Sequence, residues 1–205
     1  MSEKQEISIE SIKRRQLLTG AVGVVGATGA TAVAVPFVAS WMPSEKAKAA
    51  GAPVEVDISQ MQPGQMITVA WRGKPIWVVN RTPEMLETLE KVTSDLRDPN
   101  SEKSEQPDYC KNQYRSIKPE FLVVVGICTH LGCAPMYRPN PGAPEVGSSW
   151  LGGFFCPCHG SKFDLAGRVF KGVPAPVNLV VPSHRYLSET VIRIGEDPVK
   201  EGQKA

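Results

Sequence analysis

The chain carries little net charge of either sign: its 205 residues sum to +2. From Pro53 onward 17 Lys and Arg stand against 17 Asp and Glu. So neutral a body lacks the basic field that grips phosphate backbones, and nucleic acid is set aside as a partner. No internal repeat is visible, which removes solenoids and propellers. Charge is missing altogether from Gln16 to Ser44, a stretch long enough to lie in a membrane. Histidine is scarce, at three residues, and cysteine numbers five. Two of those histidines and four of those cysteines fall in two short boxes.

The boxes read Cys128-Thr129-His130-Leu131-Gly132-Cys133 and Cys156-Pro157-Cys158-His159-Gly160-Ser161. Each sets a thiolate and an imidazole a few residues apart, which is metal chemistry. Cys128 with His130, and Cys156 with His159, make two sulfur and two nitrogen ligands, suited to tetrahedral zinc or to an iron-sulfur cluster. Spacing alone does not choose between them. A zinc ribbon more often uses four cysteines in C-x-x-C knuckles, which favours the cluster. The remaining cysteines, Cys133 and Cys158, sit one in each box.

C-T-H-L-G-C followed by C-P-C-H-G-S resembles the Rieske iron-sulfur proteins, and the second cysteine of each box matches the high-potential branch found in quinol-oxidising cytochrome complexes. The resemblance implies one [2Fe-2S] cluster per chain, with Cys128 and Cys156 on one iron and His130 and His159 on the other. It implies a Cys133–Cys158 disulfide clamping the two loops. Ser161 would donate its hydroxyl to a bridging sulfide. Leu131 and Gly132 would form a docking surface, and Pro174-Ala175-Pro176 a lip over the cluster's other side. Either histidine could meet a quinol hydroxyl, and the resemblance favours His159. Glycines 132, 160, 167 and 172 are expected to give amide N–H groups to the sulfurs, which raises the potential. Two departures stand out. Several high-potential relatives carry a tyrosine where Phe163 stands, so a lower potential is expected here, and Val173 separates Gly172 from the proline that commonly follows it directly. Cys110 is expected to be an inert thiol and His184 a surface loop residue.

Taken in order, residues 1–15 are polar and end in Lys13-Arg14-Arg15, a cytoplasmic N-terminus whose Arg14-Arg15-Gln16-Leu17-Leu18 resembles a twin-arginine export signal. Residues 16–42 read as a single transmembrane anchor, because a helix from Leu17 to Ser40 would rise ~36 Å against a ~30 Å hydrocarbon core. Pro36 is expected to kink it. Ala47-Lys48-Ala49 could pass for a cleavage site, but retention of the anchor is expected. Residues 43–53 form a flexible linker reaching at most ~37 Å. Residues 54–205 read as a mainly β head, a small antiparallel sandwich with a cluster-binding part at about 118–177. Val54 to Ile58 alternates, Met66–Trp71 and Pro75–Val79 flank a turn, and Phe121 to Ile127 is a buried strand leading into the first box. Leu179–Val181 and Tyr186–Ile194 would close the sheets. One inserted helix, capped by Thr82 with Pro83 at its first position, carries the stripe Met85, Leu86, Leu89, Val92, Leu96 and is expected to pack flat on the sheet. Arg97 to Lys118 then reads as a long polar loop, either a partner surface or tolerated length.

The resemblance is to the Rieske subunits of bacterial ubiquinol-cytochrome c reductases. It implies one-electron oxidation of ubiquinol with coupled proton release, then delivery to a c-type cytochrome, beside cytochrome b, in a dimeric complex. It places the anchor in the bacterial inner membrane and the head in the periplasm. A Rieske subunit of another exported oxidase, such as an arsenite oxidase, and a structural zinc module are the alternatives.

Overall fold

The computed structural model describes residues 9–198. The first eight residues, part of the expected cytoplasmic segment, lie outside the described residues. The chain divides into two compact units between Ala49 and Ala50.

The first unit is dominated by helix α1 (Ile9–Ser40), which continues through Pro36. Its stretch Ser11–Ser40 has a mean hydropathy of 1.8 and is long and apolar enough to cross a membrane. The helix starts eight residues earlier than Leu17, so Arg14 and Arg15 are already helical. Thr28 and Thr31 donate their hydroxyls to the carbonyls of Val24 and Ala27, both at 2.8 Å. Those hydroxyls therefore ask nothing of a surrounding hydrocarbon. A short helix α2 (Glu45–Ala50) occupies part of the expected linker; its Ala and Lys residues are strong helix formers.

The second unit holds three antiparallel three-stranded sheets. The middle one pairs β2 (Met66–Trp71), β3 (Lys74–Asn80) and β4 (Phe121–Val125). Arg72 and Gly73, with φ of 50° and 71°, make the tight left-handed turn that a two-residue hairpin requires. Both faces of this sheet are covered, which explains its unbroken apolar runs. Ile76, Val78, Val123 and Val125 face Val56, Ile58, Ile192 and Ile194. These belong to the sheet formed by β1 (Val54–Asp57), β8 (His184–Tyr186) and β9 (Val191–Ile194), or adjoin it. Trp77, Val79, Leu122 and Val124 face the other way, into an apolar cluster with Cys128, Phe154, Cys156 and Phe163.

That second cluster joins the middle sheet to the third, built from β5 (Met136–Arg138), β6 (Gly153–Cys156) and β7 (Ser161–Phe163). Trp77 stacks on Phe154 with centroids 5.2 Å apart. Helix α3 (Pro83–Lys91) is capped by Thr82, whose side chain accepts from Met85 N. It does not lie flat on the sheet: Leu89, Met85 and Leu86 pack against Leu165, Ala166, Tyr114 and Tyr137, on the third sheet's side. Leu179 and Val181 are buried and Val180 is half-buried, but none of them lies in a strand, and Tyr186–Ile194 spans the end of β8 and all of β9. His184 is not a surface residue. It is buried in β8, where Nδ1–H donates to the Pro182 carbonyl at 2.8 Å and the ring meets Tyr109 edge-on.

Candidate metal centre

Strand β4 runs out of the middle sheet into the first box, and the second box is the turn between β6 and β7. Both boxes take the same local form. The amide of the glycine four residues beyond the first cysteine donates to that cysteine's carbonyl, Gly132 to Cys128 at 3.0 Å and Gly160 to Cys156 at 2.9 Å. Both glycines are left-handed, with φ of 83° and 75°, a conformation that a side chain strains. Each turn thereby buries its first cysteine: Cys128 and Cys156 are free thiols in the apolar interior.

A disulfide joins Cys133 to Cys158, one from each turn, with Cα atoms 6.8 Å apart. Its two sulfurs and Cys156 Sγ lie within 4.8 Å of one another. Disulfide sulfurs have no thiolate to give, so Cys128 and Cys156 are the thiols left at the site. Half-buried His130 and exposed His159 meet edge to face, with centroids 4.7 Å apart and ring planes at 89°. His130 Nδ1 is buried without a hydrogen-bond partner among the described residues. Such an atom costs about 1–3 kcal/mol unless something satisfies it, and a bound metal does so.

The β6–β7 ladder sets Ser161 directly opposite Cys156, so both side chains share one face. Ser161 is buried, and its Oγ accepts from Ala175 N at 3.1 Å. Its hydroxyl proton is thus free to donate to a sulfur of the site. Burial pushes the Cys128 thiol up; the His130 backbone amide pulls it down, neighbouring Cys156 raises it further, and Ser161 opposes. A neutral buried thiol of this kind becomes a thiolate when a cation compensates it. The donor set of two thiols and two imidazoles, one ring nitrogen of it buried and unpaired, fits a metal group.

Three of the four glycines expected to serve the sulfurs do not. The amides of Gly132, Gly160 and Gly167 donate to the carbonyls of Cys128, Cys156 and Asp164. Backbone N–H groups in tight turns are used first to close the turn. Leu131 stands 71% exposed beside the histidines, with Gly132 also exposed. Pro174 and Pro176 are exposed, while Ala175 between them is buried in the same apolar cluster as the two thiols. Thr129 Oγ1 donates to Val177 O at 2.7 Å, tying the first box to this proline segment. Arg97 reaches the segment from the other side, donating to Ala175 O at 2.9 Å and Val173 O at 2.7 Å. Sequence reasoning missed Thr129, Arg97 and Asn178, because bonds of side chains to distant carbonyls leave no local pattern. Phe163, opposite Phe154 in the ladder, is buried in the same apolar cluster as both thiols. Cys110 is buried too, and burial pushes its thiol up to about 12, so it stays inert.

Residues 53–185 match the family described as Rieske [2Fe-2S] domain, so the second unit is a Rieske domain and its cofactor a [2Fe-2S] cluster. Zinc, left open by the spacing, is thereby displaced. Residues 5–44 match the segment described as Ubiquitinol-cytochrome C reductase Fe-S subunit TAT signal. The chain is 63% identical to the ubiquinol-cytochrome c reductase iron-sulfur subunit of Allochromatium vinosum, covering 90% of this chain and 89% of that one. It is 44% identical to the subunit of the same name from Blastochloris viridis, covering 89% and 92%. It is also similar to a solved chain of a hyperthermophilic respiratory Complex III, at 27% identity, 86% and 98% coverage and a TM-score of 0.47. The chain belongs to the ubiquinol-cytochrome c reductase iron-sulfur subunits, and is therefore part of an oxidoreductase complex.

Proposed function

We propose that Cys128, Cys156, His130 and His159 hold the [2Fe-2S] group, and that the chain uses it to oxidise ubiquinol one electron at a time and to pass the electron to a c-type cytochrome subunit. Once bound, the group supplies a one-electron couple whose charge ties the loss of an imidazole proton to its oxidation state. The residues around it do the rest. His159, exposed, accepts the hydrogen bond of a quinol hydroxyl at its outer ring nitrogen, and takes the proton. His130 Nδ1 is buried and unpaired among the described residues, leaving Nε2 for the same task from a less open position. Leu131 gives the quinol site on cytochrome b an apolar knob to seat. The buried thiols and the disulfide keep water from the inner side. The observation that carries this reading is the division of the donor set into two buried thiols and a pair of touching rings, one half-buried and one exposed.

Helix α1 fits a retained anchor in a bacterial inner membrane, with the twin-arginine segment cytoplasmic and the disulfide-bearing head on the oxidising, periplasmic side. The Pro43–Pro53 stretch then tethers a head that visits quinol site and cytochrome in turn. A dimeric complex is the assembly in which we place it.

The test is a potentiometric titration of the purified full chain, followed optically and by electron paramagnetic resonance from about pH 6 to 10. A midpoint in the upper part of the range of about −150 to +300 mV, falling as pH rises, is the expected result. A low, pH-independent midpoint would remove quinol oxidation from the account.

A further inference from the structure

The segment after Arg97, which reads in sequence as a loose polar loop, is wired into the ligand half of the head. Asn178 shows how closely. Its Nδ2 donates to Asp98 O and Ser101 Oγ, both at 2.9 Å, its Oδ1 accepts from Val169 N at 2.8 Å, and its amide donates to Ser104 Oγ at 3.0 Å. Arg97 opens this brace. Its amide donates to Val169 O at 2.9 Å, and its neighbour Leu96 bridges Phe170, so its backbone is fixed beside the bridge residues that lead to Pro174.

From there the guanidinium spans two carbonyls of the proline segment, Nη2 to Val173 O and Nη1 to Ala175 O. A planar fork holds two acceptors at a set separation, which an ammonium on a flexible stem does not. Prolines have no amide hydrogen, so Ala175 is the one amide donor within Pro174-Ala175-Pro176. That amide goes to Ser161 Oγ, which holds the hydroxyl in place and leaves its proton free to donate to a sulfur of the site. Two hydrogen-bonded links thus run from an exposed cation into the site, Arg97 to Ala175 and Ala175 to Ser161, and the buried Ser161 hydroxyl ends the chain beside the thiols.

We infer that Arg97 is a positioning residue: it fixes the proline segment over the ligand thiols, and through Ala175 it fixes the Ser161 hydroxyl, so that it sets the midpoint potential without touching the metal group. This rests on the reading of Cys128 as a ligand. Hydrogen bonds to the sulfurs set such potentials by stabilising the reduced, more negative group, and loss of the fork weakens the one that Ser161 is positioned to give, which lowers the midpoint.

The experiment compares Arg97→Gln, Arg97→Lys and Lys171→Gln in the full chain carrying its cluster. Lys171 is a matched control, an exposed cation that donates to Ser94 O at 2.8 Å and bonds no atom of the proline segment. Each protein is titrated potentiometrically, and amide hydrogen exchange is read over residues 170–180. Arg97→Gln is expected to shift the redox equilibrium about tenfold toward the oxidised form, a fall of 59 mV for one electron, and to speed exchange in that peptide about tenfold. Arg97→Lys should fall between wild type and Arg97→Gln, and Lys171→Gln should match wild type. Because Lys keeps the charge and loses the fork, it carries the same test should the Gln variant not take up its cluster. An unmoved potential in the Arg97 variants overturns the inference, as does a potential that moves without faster exchange, or an equal shift in Lys171→Gln, which would reduce the effect to charge. A wild-type chain without the redox signal would instead remove the functional reading beneath it.

Discussion

The two sides of the head are held by different means. Toward β1, β8 and β9 the interior is aliphatic, Val56, Ile58, Ile76, Val78, Val123, Val125, Ile192 and Ile194, and strand ladders satisfy the backbone. On the ligand side strands are three or four residues long and most of the chain is loop. Backbone carbonyls there are met by buried side chains. Arg81 donates to the carbonyls of Tyr114, Leu165 and Pro119, and Arg115 to those of Ala166, Gly167 and Leu179. Arg168 pairs with Asp164 at 2.7 Å and donates to Leu89 O. Burial lowers the Arg81 and Arg115 guanidinium groups to about 10, yet both stay charged at neutral pH. A metal site made of loops cannot rely on ladders, and the five donors of a guanidinium are an efficient way to collect several carbonyls at one point.

The largest effect expected from this contrast comes from truncating one such arginine. Arg115→Ala removes bonds to three carbonyls and to Gln106 Oε1, leaving buried acceptors unpaired, at a cost of roughly 3–5 kcal/mol. Ile192→Ala, at a fully buried position of the aliphatic side, costs roughly 2–5 kcal/mol. The sums overlap, but the places differ. Hydrogen exchange by peptide and denaturant melts followed by cluster absorbance should show Arg115→Ala releasing the cluster while the β1–β9 ladder stays protected. Ile192→Ala should lower both together. Identical patterns in the two variants would break the comparison.

The same contrast explains what could be read from the sequence. The aliphatic side was legible: the β2–β3 hairpin, the Val54 strand and the buried run into Cys128 follow from period-two alternation, turn residues and unbroken apolarity. So did the Thr82 cap, and the meeting of the two boxes, because their chemistry lies in local spacing. Strands β5, β6 and β7 did not, being too short for a period to show. The packing face of α3 was misplaced because a stripe states that a helix is buried and not against what. His184 was misjudged for a related reason: a histidine beside a proline looks like a turn, while the Tyr109 hydroxyl that accepts its amide at 3.0 Å lies 75 residues away in the chain. Arg97 and Arg115 look like solvated charges until the loops they bind are folded around them.

His184 yields a smaller effect, and it tests whether the aliphatic side is as free of titration as its interior suggests. Burial holds its imidazole below the usual 6.5, while the Pro182 carbonyl and then the Asp197 carboxylate oppose the shift. The unfolded chain therefore takes up this proton more readily than the folded one. The corresponding stability is complete above about pH 6.5 and is lost as pH falls from there toward the folded value, by up to ~1.4 kcal/mol per pH unit. Urea melts between pH 5 and 8 should show this slope in the wild type and a flatter one in His184→Gln. The same slope in both would show that other groups carry the acid sensitivity.

The smallest expected change is at Phe163, where the aliphatic manner of packing reaches the thiols themselves. The ring is buried opposite Phe154, two residues beyond Ser161 on the same strand face, in one cluster with Cys128 and Cys156. Phe163→Tyr adds a donor at that wall. A net hydrogen bond of ~0.5–1.5 kcal/mol to a ligand sulfur corresponds to roughly 20–65 mV for a one-electron couple, so the variant should have the higher midpoint by that amount. The competing outcome is also definite. Should the hydroxyl find no sulfur, it is a buried group without a partner, costing about 1–3 kcal/mol, and the variant would melt lower at an unchanged potential. A redox titration and a thermal melt on the same sample separate the two, and a rise in potential without loss of stability is the result that places a ligand sulfur within reach of this wall.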